Sequence, residues 1–124
     1  MRIISGNLKG KKILLPTDKY TRPLRDLVKE SIFNLLNHSN KFDFQLQKSN
    51  VLDLFSGSGS FGLECISREA KHVTFVENYP EALKVLKKNI LNLTTNENAQ
   101  IVEKDCFNYF DKNEILKDKY DLIF

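Results

Sequence analysis

Two cysteines and two histidines are all that 124 residues offer in the way of thiol and imidazole ligands. Cys65 and Cys106 lie far apart, and no metal-ligand spacing joins them to His38 or His72, so no metal is expected. Each cysteine reads as a small buried hydrophobe. Also missing is any apolar run near the roughly 20 residues that a membrane span requires. Met1-Arg2-Ile3-Ile4 leads into polar sequence instead of a signal-peptide core, so the expected location is the cytoplasm, with no membrane partner. What remains, 41% hydrophobic and 10% aromatic, suffices for one packed domain at most.

Acidic residues are scarce in one half only. Residues 1–50 hold ten Lys/Arg against four Asp/Glu, whereas residues 51–124 hold nine against twelve. The first part therefore suits a polyanion and the second does not. Strand candidates at 2–5 (RIIS) and 12–15 (KILL) flank the turn-prone GNLKGK, which predicts an N-terminal β-hairpin. From Leu24 to Leu36, the residues Leu24, Leu27, Val28, Ile32, Leu35 and Leu36 recur at helical spacing and predict an amphipathic helix with that apolar face.

Beyond residue 50 the pattern alternates. Strands are predicted at 50–55, 72–77, 99–104 and 120–124, with helices at 60–69, 79–93 and within 106–117. Apolar strands separated by amphipathic helices imply a parallel sheet with right-handed crossovers, an α/β, Rossmann-like class. The division expected is a basic hairpin and loop over 1–20 and a Rossmann-like domain over 21–124. A doubly wound sheet normally continues past a fourth strand, so the sequence is expected to be cut short at its C-terminal side.

Gly57-Ser58-Gly59-Ser60-Phe61-Gly62 satisfies G-x-G-x-x-G between a strand and a helix, where glycine lets a ligand approach the backbone. Glu77 ends the next strand twenty positions after Gly57, the spacing at which a carboxylate accepts from ribose hydroxyls. Asp53 narrows the choice of nucleoside. A carboxylate beside the loop repels phosphates, by about 4 kcal/mol for unit charges about 4 Å apart at an effective dielectric of about 20. Segment 51–67 contains neither lysine nor arginine, and the Walker lysine is missing. S-adenosylmethionine, which brings an ammonium and a sulfonium, is therefore the expected cofactor. The plainer alternative is that Asp53 merely caps loop amides. Asp105, after the third strand, could accept from an adenine amino group or cap the following helix.

These residues resemble the bacterial 16S rRNA guanine-N2 methyltransferases over essentially the whole chain. The likeness rests on MRIISGNLKGKKI, TRPLRDLVKESIFNLL, VLDLFSGSGSFGLECISREAKHVTFVE and YDLIF. It implies a Rossmann-like methyltransferase fold and methylation of a guanine in 16S rRNA, naked or in the assembling small subunit. It places Asp53, Ser56, Gly57, Ser58 and Gly59 on the cofactor, with Glu77 and Asn78 at the ribose and Asp105 and Cys106 beside the adenine. Thr21, Arg22 and Pro23 match the segment that closes over the methionine end. Arg2, Lys9, Lys11, Lys12 and Arg22 match residues facing RNA. Leu24 and Leu27 depart from the family pattern, which has threonine and arginine there. In the family, the strand matching YDLIF leads into Asp/Asn-Pro-Pro-Tyr/Phe, so catalytic residues are expected after Phe124 and none within this stretch. Two other readings stay open: an amino-methyltransferase of DNA adenine N6 or cytosine N4, and a nucleoside- or RNA-binding module without catalysis. Nothing in the sequence demands more than a monomer.

Overall fold

The computed structural model describes residues 1–18, 20, 22–38, 43–94, 97–111 and 120–124. Four strands, β1 (Asn50–Asp53), β2 (His72–Val76), β3 (Ala99–Val102) and β4 (Leu122–Ile123), form one sheet in the order β3-β2-β1-β4. Every pairing is parallel, with Val51 opposite Val73 and Leu122, and Val73 opposite Ala99. The strand order reverses between β1 and β4, and open α/β sheets bind ligands at such a point, beyond the strands' C-terminal ends. Helices α2 (Ser60–Ser67) and α3 (Pro80–Leu93) make the crossovers, and the short α4 (Cys106–Asp111) follows β3. The alternation predicted from sequence is thus realised in type and order. The predicted helix within 106–117 is described only as far as Asp111. β4 is shorter than the predicted 120–124, although Asp121 N–H and Phe124 N–H extend its pairing to Asn50 and Leu52 carbonyls.

β1 and β2 bury nearly every side chain, and α2 is buried on all sides. A helix sealed in this way cannot leave a charge unpaired, yet α2 carries Glu64 with no exposure. Its partner is Lys29 of α1 (Asp26–His38), 3.2 Å away and equally buried. Each group is saturated. Lys29 Nζ also donates to the Arg2 carbonyl at 3.0 Å and to Ser60 Oγ at 3.2 Å. Glu64 Oε2 accepts from Ile4 N–H at 2.9 Å, and Oε1 accepts from Ser5 N–H and Arg68 Nε, both at 3.0 Å.

This pair corrects part of the predicted face of α1: Leu24, Ile32 and Leu36 pack partly buried against the core as expected, and the rest of that face does not. Leu27 is 75% exposed, Val28 and Leu35 are also exposed, and the buried positions are Lys29 and Phe33. Periodicity counted lysine as polar, whereas ion pairing makes it a core residue. Phe33 then stacks on Phe61 of α2, with centroids 5.1 Å apart, and Phe61 on Phe124 at 3.8 Å. Arg68 caps the column, 4.3 Å above Phe33.

The predicted N-terminal hairpin is present in a shorter form than strands over 2–5 and 12–15: an antiparallel bridge joins Arg2 and Lys12, and Ile3 N–H donates to the Lys11 carbonyl, Gly10 N–H to that of Ile3 and Ile13 N–H to that of Met1. Backbone groups that face away from the hairpin partner are met by helix side chains. Ile4 and Ser5 donate to Glu64, Leu8 N–H donates to Ser67 Oγ, and Leu14 exchanges both its groups with Asn89. Contact is close at Gly6, where a Cβ would sit 2.0 Å from the Ser67 carbonyl oxygen.

Removing one member of a buried pair leaves a desolvated charge behind. Lys29→Met should therefore lower unfolding free energy by about 3–5 kcal/mol. The double change Lys29→Met/Glu64→Gln should cost clearly less than the two single changes added together. Urea midpoints of the four proteins test this.

Candidate functional site

At the switch point the chain leaves β1 through Asp53 and re-enters regular structure at Ser60, so the loop between them closes the C-terminal edge of the sheet. Ser56 Oγ donates to the Asp53 carbonyl at 2.8 Å, Ser56 N–H reaches Val76 at the end of β2, and Gly59 N–H returns to the Ser56 carbonyl. Gly59 has φ 88°, a conformation that side chains rarely adopt, and a Cβ there would lie 2.6 Å from Leu86 Cδ1. Gly62 is needed for packing, since its Cβ would lie 2.2 Å from Phe75 Cε1 on β2. The motif's glycines thus serve a tight turn and a close helix-to-strand approach.

The loop borders a cavity of about 110 Å³ lined by Arg22, Pro23, Asp53, Ser56, Gly57 and Ser58, joined by Leu24, Phe55, Ser60, Phe61 and Phe124. That is room for a few waters or a small charged head group. Asp53 is buried, and its Oδ2 has no hydrogen-bond partner. Desolvation pushes its carboxyl up to about 7; backbone hydrogen bonding at Gly62 works against this, the Glu77 charge adds to it, and backbone at Phe55 opposes it. An orphaned buried acid in a cavity wall suits a cationic donor.

Glu77 stands at the other side of the loop. Its Oε1 accepts from Gly57 N–H at 2.9 Å, and its Oε2 accepts from Asn78 and Tyr79 N–H at 2.9 and 3.1 Å. The amide that a phosphate would use is therefore already held by a carboxylate. The nearest buried cation, Lys29, reaches Ser60 but is neutralised by Glu64. Two acids border the described loop, and the cation that shares its cavity, Arg22, is exposed and screened by water, a balance that disfavours a phosphate there.

The structure joins some of the predicted residues and separates others. Arg22, Pro23, Asp53, Ser56, Gly57 and Ser58 share the cavity, and Glu77 is bonded to it through Gly57. Asn78 is exposed beside Glu77. Asp105 and Cys106 lie outside the cavity, at the start of α4, where Asp105 Oδ1 accepts from Phe107 N–H at 2.8 Å as a helix cap. Thr21 falls outside the described residues. Arg2, Lys9, Lys11 and Lys12 are exposed, and the ion pairs among the described residues involve other groups. Burial pushes both cysteine thiols up, Cys65 well up, so neither is a ready nucleophile. No group of three or more His, Cys, Asp or Glu among the described residues could hold a metal, and none of the described helices is long and apolar enough to cross a membrane.

Sequence reasoning missed the residues beneath the loop. Asn89 of α3, almost fully buried, donates to the Ser58 carbonyl at 2.8 Å, and Lys29 donates to Ser60. A lone glutamate within the apolar SFGLECIS was the legible sign that a buried cation had to exist elsewhere.

The family described as conserved hypothetical protein 95 matches residues 1–124. The chain is similar to the ribosomal RNA small subunit methyltransferase D of Haemophilus influenzae, with 34% identity over 125 residues, 100% of this chain and 61% of that protein. It is 33% identical over 109 residues to the protein of the same name from Escherichia coli K12, covering 88% of this chain and 52% of the other. Among solved structures, the hypothetical protein TTHA0928 of Thermus thermophilus superposes with a TM-score of 0.80 and 25% identity, covering all of this chain and 67% of that one. The chain spans about half to three-fifths of the length of the curated relatives it matches.

Asp53 makes stability pH-dependent with a definite sign. Its folded value lies above the ordinary carboxyl value of 3.8, so between pH 4 and 7 the folded state keeps a proton that the unfolded state has lost. The Asp53 contribution is thus most favourable at low pH and falls as pH rises, by up to about 4 kcal/mol for a displacement of about three pH units. Asp53→Asn should stabilise the ligand-free protein increasingly from pH 4 to 8. Denaturation midpoints across that range would refute this if the gain were flat.

Proposed function

The chain belongs to the conserved hypothetical protein 95 family, and from that premise we propose that it is the cofactor-binding portion of an S-adenosylmethionine-dependent methyltransferase acting on the exocyclic N2 of a guanine in 16S rRNA. The observation that carries the reading is Asp53: a buried acid with a free oxygen, in a cavity at the sheet's switch point. The relatives named ribosomal RNA small subunit methyltransferase support the substrate class.

When bound, the cofactor supplies an electrophilic methyl group on a sulfonium. The residues present do the holding. Asp53 faces the positive methionine end, and binding of that cation draws its carboxyl back to the ionised form. Glu77 fixes the loop through Gly57 N–H and offers its remaining lone pairs to ribose hydroxyls. Asp105 and Cys106 form the adenine end. Arg22 and Pro23, which also line the cavity, cover the methyl-bearing end, with Thr21 beside them in sequence. Exposed Arg2, Lys9, Lys11 and Lys12 engage RNA phosphates, while orientation of the guanine amine is assigned to none of the described residues. On this reading the domain over 21–124 carries the cofactor and the segment over 1–20 the RNA-facing charge. A cytoplasmic, monomeric and metal-free protein completes the proposal.

Calorimetry with S-adenosylhomocysteine and with NAD tests the cofactor. S-adenosylhomocysteine should bind and NAD should not; the reverse preference would remove the reading. Asp53→Ala and Glu77→Ala should each weaken S-adenosylhomocysteine by about tenfold or more, a lost charged hydrogen bond. Retained affinity in both variants would sink the site assignment. For the arm, Lys11→Ala/Lys12→Ala should reduce the slope of log affinity for an RNA hairpin against log salt by about 1–2, measured by fluorescence anisotropy.

A further inference from the structure

The N-terminal arm and the glycine loop touch the same two buried side chains. Asn89, on α3, accepts from Leu14 N–H at 2.9 Å and donates to the Leu14 carbonyl at 2.9 Å and to the Ser58 carbonyl at 2.8 Å. Its amide is fully occupied in joining arm to loop. Lys29, on α1, donates to the Arg2 carbonyl and to Ser60 Oγ while pairing with Glu64, which itself holds Ile4 and Ser5. One link runs from Leu14 to Ser58 and the other from Arg2 to Ser60. They grip the loop on either side of Gly59, the residue in the left-handed conformation. Ser58 and Ser60 are also cavity-lining residues.

We propose that Asn89 and Lys29 are positioning residues that couple the basic arm to the cofactor loop, so that cofactor and RNA each strengthen binding of the other. The proposal rests on the cofactor and RNA reading above. Neither side chain lines the cavity, and both are buried, so neither acts by touching a ligand. An arm held by RNA keeps the Leu14 and Arg2 backbone groups in place. Those groups fix the amide of Asn89 and the ammonium of Lys29, which set the two walls of the loop. A loop ordered by cofactor returns the same constraint to the arm. Linkage requires the coupling to be equal in the two directions.

The test measures S-adenosylhomocysteine affinity with and without a short RNA hairpin, and RNA affinity with and without S-adenosylhomocysteine, in the unaltered protein, in Asn89→Ala and in Leu14→Pro. Leu14→Pro deletes the donated N–H from the exposed arm and leaves Asn89 in place, so it serves if Asn89→Ala does not fold. In the unaltered protein each ligand should tighten the other about three- to tenfold. In either variant that factor should fall to one, while S-adenosylhomocysteine alone weakens about three- to tenfold, the worth of one or two buried hydrogen bonds. Lys29→Arg should keep the coupling that Lys29→Met loses. Amide hydrogen exchange supplies a separate readout: S-adenosylhomocysteine should slow exchange at Ile4, Ser5 and Leu14. A protein that binds both ligands independently, or variants that keep the full factor, would overturn the coupling alone. A protein that binds no S-adenosylhomocysteine would overturn the cofactor reading and the coupling with it.

Discussion

The buried pair of Lys29 and Glu64 is the constraint to which the rest of the molecule answers. Two opposite charges taken out of water are tolerable only when every remaining donor and acceptor is met. Here three donations from the ammonium and four acceptances by the carboxylate meet that demand. Satisfying it draws α1, α2 and the arm to one point and leaves the carbonyl of Arg2 and the hydroxyl of Ser60 in the same polar cluster. The phenylalanine column and its Arg68 cap then fill the space alongside. A hydrophobic replacement of similar volume could fill that space, but it would offer no acceptor to the amides of Ile4 and Ser5.

Around the loop the electrostatic logic runs the other way. Asp53 is buried without its full complement of partners, and burial disfavours its charge. Glu77 is partly exposed and well supplied with amides. The two carboxylates therefore stand in unlike surroundings, one buried with an oxygen unmet and the other holding the loop through backbone amides. A protein optimised for stability alone would not place an acid at position 53.

Much of this was legible in the sequence, and the failures have a common cause. Strand and helix order from residue 50 onward followed from apolar runs and their spacing, because β1, β2 and α2 are buried through and through. Asp53, the glycine motif and Glu77 could be found because they sit within a single strand-loop-helix-strand unit. Lys29 and Asn89 could not. Their roles depend on partners at Glu64, Arg2, Ser58 and Leu14, distant in sequence and polar in type, and periodicity reports only local patterns of apolar residues. The hairpin was legible from its turn and flanking apolar residues, but the side-chain acceptors on α2 and α3 that hold Ile4, Ser5 and Leu14 were not. Asp105 lies between these cases, capping α4 as one of the two open readings had it.

The bonds from the arm to the helices span long stretches of chain, 60 residues from Ile4 to Glu64 and 75 from Leu14 to Asn89. During synthesis the arm leaves the ribosome well before either acceptor has been made. The arm's full seat thus exists only after the two crossover helices have been translated, and its docking is postponed to that point.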